Sequence, residues 1–333
     1  MRVWVFLILI FLSVYCLSVG ALQQDDPLPS WQASAIKQNI LQFVNEVTDE
    51  NNPAYVPPSE RIATFDNDGT LWVEQPIYTQ VLFAFDQMKT RALKHPAWKT
   101  QAPFKFVLNK QYDKLSQQDI LKVMAATHTG VTVEAFDAVA KKWLATAVNP
   151  HFKQPYAALV YQPMLEVMAY LRAHQFKIYI VSGGGQDFMR AYAEGVYGVP
   201  PENVIGSALK THYVYQDKKP QLMKMPVLLL NDNYAGKAEN INLFIGKKPL
   251  IAFGNSTGDQ QMLEWTQSNP KKHLMLLVHH DDAVREYAYD TKSTVGTFSV
   301  ALMQEAQANH WQVISMKNDW KVIFPFEMKT VKE

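Results

Sequence analysis

The chain has 333 residues, 48% of them hydrophobic and 12% aromatic, with 19% charged. That composition excludes a disordered chain and suffices for one large core, or a core with a smaller satellite domain. Its 32 basic and 31 acidic residues leave a formal net charge of +1, without the clustered positive excess that nucleic-acid binding needs.

The first twenty residues stand apart. Arg2 precedes an almost wholly apolar run, Val3 to Val19, with small residues at 18–21 and polar sequence from Gln23. This reads as a secretory signal peptide, giving a periplasmic or secreted protein with no stable membrane association after cleavage; an uncleaved anchor is the other reading. Cys16, the single cysteine, lies inside this segment. The mature chain would therefore have no disulfide, thiolate metal site or cysteine nucleophile.

Residues 33–48 carry apolar side chains at helical spacing, and Asn51-Asn52-Pro53 with Pro57-Pro58 ends that helix. A short apolar run, 61–65, reads as a strand that stops at Asp66-Asn67-Asp68-Gly69-Thr70. Residues 74–160 read as mostly helical. Pro163 then opens a helix leading into the strand 176–182 and Gly183-Gly184-Gly185. The pieces HYVYQ and VLLLN between 211 and 231 suggest a hairpin. Helices follow at 237–244 and 260–266, with strands at 249–253 and 274–278. His279 to Asp282 reads as a polar loop before a helix AVREYAY, a metal site being the rival reading, and the tail suggests a hairpin over Lys317-Asn318-Asp319. Helix, short turn, apolar strand and polar loop in alternation imply an α/β fold with a Rossmann-like parallel sheet. The expected organisation is a signal at 1–20, a core from 21–73 and 161–333, and a helical insert at 74–160.

Several polar loops follow apolar strands, and in an open parallel sheet the carboxyl edge is where ligands bind. Phosphoryl transfer through an aspartate requires a carboxylate nucleophile, a second acid, a cation, and donors for the phosphoryl oxygens. The sequence offers Asp66 and Asp68 two residues apart, the Ser182 hydroxyl with glycines behind it, Lys237 after Gly236, and Asp259 with Asn255 four residues before it. Each also has an ordinary reading: turn formers, a tight turn, a surface lysine and a helix cap. Glu74 stands at the base of the insert, as a pocket residue or a structural one. A P-loop, GxGxxG, HExxH and GxSxG are all absent.

Taken together, these segments resemble the haloacid dehalogenase superfamily, in its phosphoserine-phosphatase-like branch. Asp66-Asn67-Asp68-Gly69-Thr70 is similar to that family's first motif, DxDGT. Ser182 corresponds to the second, Gly236-Lys237 to the third, and Gly254-Asn255-Ser256-Thr257-Gly258-Asp259 to the fourth, usually GDxxxD. The insert sits where the family carries its first type of cap domain. The resemblance implies an exported Mg2+-dependent phosphomonoesterase for small phosphorylated metabolites. Asp66 would be the nucleophile and Asp68 the acid and base. Ser182, Gly183, Lys237 and Glu74 would hold the phosphoryl group or substrate. Magnesium would lie among Asp66, the Asp68 carbonyl, Asp259 and Asn255. Asn255 departs from the family, which commonly has aspartate there. A phosphotransferase with the same chemistry, and a non-catalytic binding protein on the same scaffold, remain as alternatives.

Overall fold

The computed structural model describes residues 26–332, so the expected signal peptide lies outside the described residues. Seven strands form one sheet in the order β4-β3-β2-β1-β5-β6-β7. They are β1 (Ile62–Phe65), β2 (Lys177–Gly185), β3 (Val204–Gln216), β4 (Lys219–Leu230), β5 (Ile251–Gly254), β6 (Leu274–His279) and β7 (Gln312–Ser315). All neighbours are parallel except β3 and β4. The α/β fold with a Rossmann-like sheet is as expected.

β1 lies at the centre, and all four of its residues are buried, as a strand covered on both faces requires. Phe65 is level with Ile180 of β2 and Phe253 of β5, and the rings of Phe65 and Phe253 stack at 4.6 Å. The chain builds outward from β1 through β2, β3 and β4, then returns to β5 on the other side. The carboxyl ends of β2, β1 and β5 therefore sit side by side where the winding reverses, the crevice that open parallel sheets use for ligands.

Before the sheet, α1 (Ala35–Thr48) is capped by the Ser34 hydroxyl, which accepts from Lys37 N–H. It buries Ile40, Phe43, Val44 and Val47 at helical spacing. Between β1 and β2 come the insert helices α2 (Thr79–Arg91), α3 (Phe104–Leu108), α4 (Gln117–His128) and α5 (Val133–Thr146), then α6 (Gln162–Ala173). Ser116 and Asp119 close a capping box on α4, and Thr132 caps α5. The insert has an apolar cluster of its own, with Val81, Phe85, Met88, Val107 and Val123 at its centre. The remaining helices are α7 (Gln186–Arg190), α8 (Ala193–Tyr197), α9 (Ala235–Phe244), α10 (Gln260–Gln267), α11 (Val300–Ala308) and α12 (Met316–Asp319).

Three stretches differ from expectation. The β3–β4 hairpin is much longer than HYVYQ and VLLLN suggested. It turns at Asp217 and Lys218, both at positive φ, and reaches the insert. There Gly130 N–H donates to the Lys224 carbonyl at 3.0 Å, and Lys224 N–H to the Val131 carbonyl at 2.9 Å. The tail forms no hairpin. Gln312–Ser315 pairs in parallel with β6, and Ser315 then caps the short α12 by accepting from Asn318 N–H. Residues 283–289 are not helical. Arg285 spends its guanidinium on the carbonyls of Met316, Lys317, Trp320 and Lys321, and Tyr289 N–H returns to the His280 carbonyl.

Candidate active site

A cavity of about 700 Å³ opens at the carboxyl ends of β1, β2 and β5 and extends between the insert and the hairpin. Asp66, Asp68, Glu74, Ser182, Gly183, Lys237 and Asp259 all line it. Those residues come from segments nearly two hundred positions apart. Parallel pairing about β1 brings them together.

Asp66 follows β1 directly, its N–H donating to the Phe253 carbonyl at 2.9 Å. Gly69 then takes φ +75, and a Cβ there would collide with Asn255 and Glu74. The turn puts Asp68 half-buried at the cavity wall, where Trp72 Nε1–H donates to its Oδ1 at 2.7 Å. Its Oδ2 faces the glycine loop, 3.3 Å from where a Gly184 Cβ would lie. Ser182 is buried in β2, just before the three glycines that end it, and its hydroxyl accepts from Gly184 N–H at 3.3 Å.

Lys237, 1% exposed, reaches in from the first turn of α9. Its Nζ lies 2.6 Å from Asp66 Oδ1, 2.6 Å from Asp259 Oδ1 and 2.7 Å from the Val181 carbonyl. Asp259 Oδ2 accepts from the N–H groups of Asn255 and Ser256, both at 2.9 Å. Burial alone would push the Lys237 ammonium down in pKa; the carboxylates of Asp259 and Asp66 outweigh it and the net shift is upward. Burial, then repulsion from Asp259, raises Asp66 to about 7 against the pull of Lys237. Burial raises Asp68 to about 6, opposed by the hydrogen bond from Trp72.

Asn255 does not line the cavity. It is 1% exposed, donates from Nδ2 to Glu74 Oε1 at 2.7 Å, and accepts from the Thr70 hydroxyl at 3.2 Å. Glu74 Oε1 also accepts from the Tyr289 hydroxyl at 2.7 Å. Burial, reinforced by Asp68 and Asp66, pushes the Glu74 carboxyl well above the usual range. Of the His279–Asp282 loop, only His280 reaches the site, from behind. Its Nε2–H donates to the Gly69 carbonyl at 2.7 Å, with Glu286 facing Nδ1 at 3.2 Å. Among the described residues, no three His, Cys, Asp or Glu side chains form a metal-holding group.

Magnesium needs fewer side chains than that, since it keeps several waters and takes one or two carboxylates. The cavity offers the Asp66 and Asp259 carboxylates. Among the described residues, no donor is bonded to the Asp68 carbonyl. Three buried or half-buried aspartates face a single lysine, and repulsion among them raises Asp66. An excess of hard oxygen donors and negative charge fits a divalent cation.

Several lining residues carried no sequence signal: Gln80 and His128 from the insert, Asp187 in the first turn of α7, and Lys224 from the hairpin. A directional chain joins the first two to the glycine loop. Gly185 N–H donates to Gln80 Oε1 at 2.7 Å, so Gln80 Nε2 faces His128 Nε2 at 3.2 Å as donor. His128 Nδ1 then carries the proton toward the Thr127 hydroxyl at 2.9 Å, which donates onward to the Val123 carbonyl.

Residues 63–264 match the family described as haloacid dehalogenase-like hydrolase. The chain belongs to this family. Among solved structures it is similar to a protein of unknown function from Bordetella pertussis Tohama I, at 16% identity, covering 77% of this chain and 98% of that one, with a TM-score of 0.50. It is also similar to a conserved, functionally unknown protein from Anaerococcus prevotii DSM 20548, at 15% identity, covering 86% of this chain and 94% of that one, with a TM-score of 0.53. At such identities the likeness is one of fold. No curated protein matches the sequence. Among the described residues of this haloacid dehalogenase-like hydrolase, no helix is long and apolar enough to cross a membrane.

Proposed function

We propose that this hydrolase is an exported phosphomonoesterase working through a phosphorylated Asp66, with the insert acting as its cap. The observation that carries the reading is the convergence of Asp66, Asp68, Ser182, Lys237 and Asp259 on one cavity. Asp66 attacks phosphorus and the bond from phosphorus to the ester oxygen breaks. Asp68 gives its proton to that oxygen, and the alcohol leaves. Water then attacks the phosphorylated Asp66, Asp68 takes back a proton, and phosphate departs with the aspartate restored. A carboxyl that must give and then take a proton works best with a pKa near the operating pH, and burial brings Asp68 to about 6.

Lys237 holds the Asp66 carboxylate in place and, with the Ser182 hydroxyl and Gly183, meets the charge on the phosphoryl oxygens. A magnesium ion held by Asp66, Asp259 and the Asp68 carbonyl would offset the carboxylate repulsion and neutralise phosphoryl charge. Asn255 serves by bracing the turn through Thr70 and Glu74, not as a ligand. Export rests on the apolar amino-terminal run of the sequence.

The test is phosphate release from an aryl phosphate, with magnesium or with chelator, by the protein and by Asp66→Asn. Turnover should depend on the metal and fall by at least about a thousandfold in the variant. A folded protein that binds magnesium yet turns over no small phosphate ester overturns the reading.

A further inference from the structure

The catalytic groups occupy only one end of the cavity. Volumes of about 300–1,000 Å³ accommodate drug-sized ligands, so a phosphoryl group and a three-carbon metabolite would leave most of this one unfilled. The remainder is walled by Leu121, Met124 and Phe136 from the insert and by Leu209, Pro226 and Leu228 from the hairpin. Leu121 and Leu228 are 64% and 59% exposed, apolar side chains left in water beside the chamber they line.

Several polar groups along this chamber are already partnered. Lys224 is 3% exposed, pairs with Asp187, and lies 4.7 Å from the centre of the Phe136 ring. His128 is held between Gln80 and Thr127. Glu74 is bound by Tyr289 and Asn255, and Lys237 by Asp66 and Asp259. Beyond the catalytic end, the charged side chains of the chamber are Lys224 and Asp187, which pair with each other and so leave neither an unpaired cation for a carboxylate nor an unpaired anion for an ammonium group. A zwitterionic leaving group such as serine would be stripped of water there without a counter-charge, which is strongly unfavourable.

We infer that the chamber between the insert and the hairpin is a leaving-group subsite for a bulky, uncharged, predominantly apolar alcohol. The inference rests on the phosphomonoesterase reading and narrows it, replacing phosphoserine-like metabolites with amphipathic phosphate esters. The phosphate meets the charged end, and the apolar body fills the chamber against Phe136, Met124 and Leu209.

The experiment compares 2-(1-naphthyl)ethyl phosphate, ethyl phosphate and phosphoserine in the presence of magnesium. The first two are alkyl phosphates, so intrinsic leaving-group reactivity is nearly matched. The naphthyl ester should be favoured in kcat/KM by at least about tenfold, since even one methylene in an apolar pocket is worth about that much. Leu121→Asp and Leu228→Asp change exposed residues and should spare the fold. Each should raise KM for the naphthyl ester severalfold more than KM for ethyl phosphate. Turnover of all three esters without that preference, or indifference of the naphthyl ester to both substitutions, overturns this inference alone. No turnover of any ester overturns the phosphomonoesterase reading, and this inference falls with it.

Discussion

At the scale of single residues, the motif positions were legible because their chemistry is local. Asp66, Asp68, Ser182 and Lys237 each follow a strand or open a helix, and a buried strand ending in two acids and a glycine has little structural reason to exist. The residues that hold them were not legible, since nothing in the sequence near His280 or Glu286 says that they sit behind Gly69. Tyr234 is another such residue. It enters α9 at φ 54 and ψ −127, a backbone region that costs a side-chain-bearing residue about 1–3 kcal/mol. Its N–H donates to the Gly258 carbonyl at 3.1 Å, tying the start of the Lys237 helix to the Asp259 loop. The ring is 53% exposed. Tyr234→Gly should therefore stabilise the protein by about 1 kcal/mol in urea unfolding, the relief of strain exceeding the entropy glycine adds to the unfolded chain. A loss of stability would show that contacts of the ring dominate instead.

Among elements, the central strands were readable as continuous apolar runs and their parallel order followed from the helices between them. The hairpin's length was not, because β3 and β4 mix polar and apolar residues without a regular period, and their extent is set by pairing with each other and with the insert. Residues 283–289 failed for a related reason. The local pattern favours a helix, but Arg285 finds four carbonyls elsewhere and Glu286 turns inward to His280. The hairpin's own anchor is open to measurement. Lys224 is almost wholly buried, whereas the Asp187 side chain is 24% exposed, so water screens the pair in part. Lys224→Met should cost about 1–2 kcal/mol by leaving Asp187 half-buried and unpaired, and adding Asp187→Asn should recover most of it. Strict additivity of the two changes in a double-mutant cycle would show that the pair contributes nothing.

For the whole molecule, pH is the informative variable. Burial, with Lys224 and Arg91 adding to it, pushes His128 from 6.5 down to about 3. Unfolded, it takes a proton below about pH 6.5; folded, it stays neutral. Its contribution is complete above 6.5 and is lost progressively as pH falls toward 3. Asp66 and Asp68 act in the opposite sense, because raised carboxyls hold protons more tightly when folded and regain stability as pH drops through 7 and 6. Urea unfolding of the protein and of His128→Gln between pH 5 and 8 separates the two effects. The stability difference between them should shift against the parent by up to about 1.4 kcal/mol per pH unit below 6.5. Parallel curves would sink the account. The backbone pairing of Lys224 with Gly130 and Val131 bears on motion at this same scale. An insert joined to its core by two linkers could swing on them like a shutter on two hinges. Fastenings off the line of those two, this pairing and the Gly185 N–H bond to Gln80 among them, remove that freedom. Traffic into the chamber then depends on the hairpin bending away from the insert, and stiffening its turn at Asp217 and Lys218 becomes a way to slow exchange without touching a reacting atom.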